Sequence, residues 1–197
     1  MQLPWIGLMV VAMVAFRVDV PEERLRVGDP FPVLGGQFLT GRTATLPQAA
    51  SGTIRLVAMG FTYQSRFPVE TLGEWYRTTI GPDAGVTVFE VPMIGGFATL
   101  GRWFIDRGMR RGTPAEFHED VIIVYRGANS WKRRLAYAPG HEDDAYLIVL
   151  DGGGIVRWLH RGLFDEVTAD ELRGVLASLV PTRTVAGQVL PDRRGIE

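Results

Sequence analysis

The sequence predicts an α/β domain: a central sheet flanked by helices, with a hydrophobic N-terminal arm and an extended C-terminal tail. Three observations carry that prediction. Apolar, β-prone runs at Ile54–Met59, Val86–Pro92, Val121–Tyr125 and Tyr146–Leu150 alternate with stretches of helical period. Such alternation is the pattern of parallel β-α-β units. After the last run, a tight Asp151-Gly152-Gly153-Gly154 turn returns the chain as an antiparallel hairpin, and a helix closes the domain. The expected organisation is an arm over 1–20, a linker over 21–30, the domain over 31–181 and a tail over 182–197.

Composition supports a globular chain. Of 197 residues, 46% are hydrophobic and 22% charged, which is enough to bury a core without staples. The formal net charge of −1 gives no global attraction to nucleic acid, and none is expected as a partner. There is no cysteine. Disulfides, thiol catalysis and thiolate metal sites are therefore excluded. Only one of the 21 cationic residues is lysine, Lys132.

Leu3 to Phe16 (LPWIGLMVVAMVAF) is fourteen residues without a charge. As a helix it would be about 21 Å long, short of the ~30 Å bilayer core. No Lys or Arg precedes it and no small-x-small site follows Ala15, which makes a poor signal peptide. A core helix, a docking arm and an atypical signal remain as readings, and the arm is preferred. Trp5, Ile6, Leu8, Met9, Met13 and Phe16 would then contact a membrane or membrane-protein partners. Arg17, Arg24 and Arg26 follow the run, so the positive-inside tendency favours the cytoplasmic over the periplasmic face.

In the body, Gln37–Thr45 reads as a hairpin closing at Thr40-Gly41. Ile54–Met59 is a central strand. Pro68 to about Thr79 is a helix, with Val69, Leu72, Trp75 and Tyr76 on one face. Val86–Pro92 is mostly apolar and predicted central. Ala98–Arg111 and Ser130–Leu135 are helical, and Ile155–His160 pairs back on Tyr146–Leu150. For the last helix, Thr168 with Glu171 three residues on reads as a capping box. Leu172, Val175, Leu176 and Leu179 line its inner face and Pro181 stops it.

The stretch IRLVAMGFTYQSRFPVETLGEW (54–75) resembles the strand-loop-helix of the peroxiredoxin, TlpA-like and Sco branches of the thioredoxin-like superfamily. Gly60-Phe61-Thr62 matches the phrase before the cysteine pair of Sco proteins. The hairpin phrase AYLIVLDGGGIVRWLHRG (145–162) is similar to the superfamily's own. Its Ile155-Val156-Arg157-Trp158 is closest in pattern to the mitochondrial ATP-synthase assembly chaperones. The resemblance covers about residues 28–180 and implies a thioredoxin-like fold. It also implies a reactive loop, but Gln64 and Pro68 stand at the two cysteine positions. The Sco metal histidine falls near Asp143, with His141 two residues away, and the thioredoxin cis-proline falls at about Ala145. Thiolate attack has no residue here to perform it.

Tyr63, Gln64, Ser65 and Arg66 thus form a degenerate active-site loop, solvated or in contact with a partner. Ser65 has no recognisable base or nucleophile elbow. His118-Glu119-Asp120 and His141-Glu142-Asp143-Asp144 offer His118 and His141 as metal candidates, against the plainer reading of exposed turns before strands. No catalytic residue and no cofactor is assigned. Trp103, Phe104, Arg107, Arg110 and Arg111, and likewise Trp131 and Arg133, combine aromatic and arginine side chains, the mixture favoured at protein interfaces and anionic membrane surfaces. The plain alternative is a helix with an apolar inner face and a solvated outer one.

The expected function is a redox-inactive structural or assembly subunit of a membrane energy-conversion complex (photosynthetic, respiratory or ATP synthase), holding neighbouring subunits through arm and tail. The alternatives are a non-thiol metal-binding or redox-related enzyme or carrier, and a peptide-binding chaperone.

Overall fold

A computed structural model of the chain describes residues 24–81, 84–95 and 101–180. The predicted arm (1–20), the first three residues of the linker (21–23) and the tail (182–197) lie outside the described residues.

The elements follow in the order β1 (Leu34–Phe38), β2 (Thr43–Leu46), β3 (Ile54–Gly60), α1 (Arg66–Trp75), β4 (Val86–Pro92), α2 (Arg102–Gly112), β5 (Ile122–Ile123), α3 (Ala128–Arg134), β6 (Ala145–Leu150), β7 (Val156–Gly162) and α4 (Glu166–Leu179). A π-helical turn, Tyr76–Ile80, continues α1. The principal sheet has the order β4-β3-β6-β7. Within it β3 and β4 run parallel, and the β3–β6 and β6–β7 pairs are antiparallel. A second sheet, β2-β1-β5, adjoins β4. Bridges Glu90–Val121 and Met93–Val124 join the two. β4 therefore has neighbours on both sides, as its apolar run predicts.

Each strand of the principal sheet splits its side chains between two cores, as period-2 geometry requires. Val57, Met59, Ile148, Leu150, Phe89 and Val91 face a layer built from the β1–β2 hairpin, Phe31 and α3. Leu56, Ala58, Leu147, Val149 and Val86 face α1 and α4 through Val69, Leu72, Leu172 and Leu176. β3 and β6 are buried on both faces, which is why they read as unbroken apolar runs. Gly36 of β1 is needed for close approach: a Cβ there would stand 2.5 Å from Ile122 Cγ2 and 2.9 Å from the Ile123 carbonyl oxygen.

The structure corrects several boundaries. α1 begins at Arg66, two residues before Pro68. The strand predicted over Val121–Tyr125 shrinks to two residues, with single bridges at Val121 and Val124. α4 begins at Glu166, and its N-cap is Asp165 rather than Thr168. Asp165 Oδ1 accepts from Thr168 N (2.9 Å) and Thr168 Oγ1 (2.7 Å). Thr168 thus looks like a cap in sequence but serves the third helical position, with its hydroxyl turned back to the true cap. Asp165→Ala should lower the urea midpoint of unfolding, whereas Glu171→Ala, which removes the glutamate of the predicted capping box, should leave it unchanged.

Candidate functional site

The C-terminal end of β3 is where an open α/β sheet places its chemistry. Antiparallel pairing brings the start of β6 and the end of β7 to the same end: Met59 pairs with Tyr146, and Ala145 with Gly162. The loop from Phe61 to Ser65 and the N-termini of α1 and α4 crown it.

At the centre lies an interlocked pair. Ser65 is 1% exposed. Its hydroxyl donates to the Thr62 carbonyl (2.7 Å) and accepts from Thr62 N–H (3.2 Å). Thr62 Oγ1 in turn accepts from Ser65 N–H (3.2 Å) and donates to Asp143 Oδ1 (2.6 Å). Gly60 leaves room for this knot, since a Cβ there would meet Ser65 Oγ at 2.4 Å. Ser65 is thus a buried structural hydroxyl, not part of a solvated loop, and among the described residues no base hydrogen-bonds it. Asp143, at the Sco-like ligand position, is occupied as the acceptor of Thr62.

Around the knot lies an aromatic layer. Phe61 packs edge-on against Tyr137 (5.5 Å) and Tyr146 (5.4 Å). The Lys132 ammonium sits over Tyr137 at 4.1 Å and Phe61 at 5.5 Å. Outside it, Tyr63 and Phe67 are exposed, at 70% and 48%. The Arg66 guanidinium lies over both rings, at 4.3 and 4.6 Å. Arg66 is the first residue of α1 rather than part of the loop, and its guanidinium is held by two π faces. Leu163 and Val167, exposed at 71% and 69%, stand at the same end of the sheet, beside the start of α4. Phe67, Leu163 and Val167 drew no notice in the sequence. The strand register that gathers them is their only signal.

The two histidine clusters do not converge. His118 Nε2 is 2.9 Å from the Thr113 carbonyl, whereas His141 Nδ1 is 2.9 Å from Asp144 Oδ2. Asp144 also lies 3.5 Å from Arg161. No group of three or more potential metal ligands occurs among the described residues.

The aromatic-arginine candidates separate into two kinds. Trp131 is a correction: it is 5% exposed and packs on Phe31 at 5.1 Å, because α3 covers a sheet face. Arg133, beside it, is exposed. On α2 the plain alternative of an apolar inner face does not hold, since no residue of this helix is fully buried. Trp103 and Phe104 are 63% and 72% exposed and pack on each other at 4.8 Å. Arg107 stacks on Trp103, 5.4 Å from its ring centroid. Arg110 is exposed but anchored, its Nε donating to the Leu39 carbonyl (2.6 Å). Arg111 is exposed. Trp5, Ile6, Leu8, Met9, Met13 and Phe16 lie outside the described residues. No helix among the described residues is long and apolar enough to cross a membrane.

No protein-family model matches the chain, and no curated protein sequence does. Solved structures do. The thioredoxin domain of a thiol-disulfide oxidoreductase from Bacteroides vulgatus matches with a TM-score of 0.54 and 15% identity, covering 77% of this chain and 99% of that one. BsSco, a member of the Sco family of cytochrome c oxidase assembly proteins, matches at 0.52 and 13%, covering 80% and 99%. A peroxiredoxin-like protein from Aquifex aeolicus matches at 0.50 and 13%, covering 81% and 91%. The chain has a thioredoxin-like fold, and the broad resemblance to peroxiredoxin, TlpA and Sco proteins holds at the level of fold. The narrower likeness to ATP-synthase assembly chaperones has no support from these structures. The thiols on which thioredoxin-type redox chemistry depends are absent from this sequence.

Proposed function

We propose that the chain is a non-catalytic thioredoxin-like subunit that binds protein partners within a membrane energy-conversion complex. One observation carries the reading. At the fold's reactive position the serine hydroxyl is buried in a structural knot, while Tyr63, Arg66 and Phe67 stack as an exposed surface. Tyrosine and arginine held rigid before binding lose little side-chain entropy on contact, and they dominate interface hot spots. The membrane placement rests on the uncharged run of residues 3–16. A thioredoxin-fold protein can hold such a post: BsSco is described as a member of a family of assembly proteins.

The test is affinity purification in mild detergent of the full chain, of a Tyr63→Ser/Arg66→Ser/Phe67→Ser variant and of a form lacking residues 1–20. The expected result is co-purification of membrane-complex subunits in fixed stoichiometry. The triple substitution should lose the subunits, and the truncation should lose membrane fractionation. Full retention by both altered forms overturns the reading. Substoichiometric release of many unrelated chains favours the second reading, a peptide-binding chaperone using the same exposed aromatic surface.

A further inference from the structure

α2 is attached to the domain by its polar side. Arg102 hydrogen-bonds the Gln37 side chain and stacks over Tyr125 at 4.5 Å. The Tyr125 hydroxyl donates to Asp106. Met109 packs beside Leu39, Val121 and Ile123, and Arg110 donates to the Leu39 carbonyl. Residues 102, 105, 106, 109 and 110 follow the spacing of one helical stripe, and this stripe faces the protein. The opposite stripe is 103, 104, 107, 108 and 111. It presents the Trp103–Phe104 pair, Arg107, the bare backbone of Gly108 and Arg111. Asp106, the helix's only acid, is on the inward stripe, so the outward one carries two cations and no carboxylate. Neither Arg107 nor Arg111 forms an ion pair among the described residues.

We infer that this outward stripe of α2 is a docking face for an anionic lipid surface, lying in the plane of the interface. Trp103 and Phe104 enter the headgroup–acyl boundary, and Arg107 and Arg111 meet lipid phosphates. The chemistry matches that of an interfacial helix: bulky aromatics to enter the boundary, arginines to meet the headgroups and low net hydrophobicity. Patch size favours lipid over a protein partner. Eleven residues at 1.5 Å each make a helix of roughly 16 Å. One stripe of that length falls well short of the ~800 Å² per partner that stable protein interfaces bury. A bilayer needs no matched second surface. This site is separate from the Tyr63–Arg66–Phe67 surface. It shares no residue with that surface or with the apolar run of residues 3–16, so its failure leaves the proposed protein contact standing.

The absence of native cysteine makes the test site-specific. Gly108→Cys places one thiol on the stripe, at a position open to solvent with nothing within 4 Å of a Cβ. Arg173→Cys on exposed α4 is the control. Each full-length variant carries a polarity-sensitive dye and is mixed with vesicles of 30% phosphatidylglycerol in phosphatidylcholine, or of phosphatidylcholine alone. The expected result is a blue shift at position 108 with the anionic vesicles only, and none at 173. Adding Arg107→Gln and Arg111→Gln should lower partition by about thirtyfold, from ~1 kcal/mol per cation at such a surface. Trp103→Ser with Phe104→Ser should abolish the shift. These four side chains make none of the contacts that hold α2, so far-UV circular dichroism should be unchanged. Vesicle binding through the arm with position 108 still water-exposed overturns the inference. So does shielding of position 108 by a lipid-free protein complex.

Discussion

Arg55→Ala should lower the free energy of unfolding by about 4 kcal/mol, among the largest single-residue effects in the chain. Arg55 lies in the middle layer of the sheet and is 1% exposed. Its guanidinium donates to the carbonyls of Pro47 and Asp151, so one side chain ties the β2–β3 connection to the β6–β7 turn. The neighbouring backbones come equally close there: a Cβ on Gly152 would stand 3.1 Å from the Gly52 carbonyl oxygen, and one on Gly154 would stand 3.0 Å from the Pro47 ring. Alanine removes the whole stem and leaves a cavity, which alone costs roughly 2–5 kcal/mol for a side chain of this size. It also orphans two carbonyls. Burial opposes the charge, holding the Arg55 pKa below its ordinary value, and the Asp151 carboxylate opposes that fall. Arg55→Met should therefore cost much less than alanine, because it keeps the stem and removes a desolvated cation. Urea unfolding of the two variants is the measurement. Equal losses would mean the cavity is unimportant, and a loss below 1 kcal/mol for alanine would overturn the clasp.

Arg55 also shows how far the sequence could be read. Ile54–Met59 announced a buried strand, and it is one. A single arginine inside such a run reads as a side chain turned to solvent. What the run does not reveal is that two backbone turns from distant parts of the chain arrive to accept the N–H groups of that arginine. The same asymmetry runs through the molecule. Elements defined by local period (β3, α1, β6, the β6–β7 hairpin and the inner face of α4) were legible. Features defined by which partner arrives were not. Trp131 reads as an interface aromatic because Lys132, Arg133 and Arg134 follow it, yet α3 turns it onto Phe31. For α2 the sequence leaves open an interface helix and one that buries its apolar residues. In the structure its polar stripe finds Gln37, Tyr125 and the Leu39 carbonyl, and its aromatic pair is left outside. At the site end, the loss of reactive groups was plain from composition. The Thr62–Ser65 knot was not, because a serine after a strand reads as a solvated or partner-contacting turn, or with a base beside it as a nucleophile. Distances to Thr62 and Gly60 decide among them.

Glu90→Gln should make the protein more stable at pH 8 and leave it nearly unchanged at pH 4.5. Glu90 is the one acid within the β4 run, on the stripe that faces α1. Its Oε1 lies 3.3 Å from where a Gly73 Cβ would be. Helix and strand are thus too close for water to solvate the carboxylate fully. Burial pushes its pKa from 4.5 to about 7, with Glu70 and Asp120 adding repulsion and Arg77 pulling the other way. Asp120, whose carbonyl accepts from Glu90 N–H at 2.8 Å, is itself raised by burial and by Glu119. The sign follows from proton counting. Between pH 4.5 and 7 the folded chain holds a proton at Glu90 that the unfolded chain has released. Stability from this group is therefore complete below about 4.5, falls as pH rises through that window, and is lost above about 7. Such a difference in pKa corresponds to about 3 kcal/mol, reduced by whatever water reaches the site. Glutamine copies the protonated form at every pH. The gap between variant and wild type should open from near zero at pH 4.5 to about 2–3 kcal/mol at pH 8, and other titrating groups cancel in the comparison. Urea titrations at the two pH values measure it directly. A gap independent of pH would mean that Glu90 reaches solvent in the folded state. A destabilised glutamine variant at pH 8 would mean that attraction to Arg77 outweighs burial, and that the acid clamps α1 to the sheet as an anion.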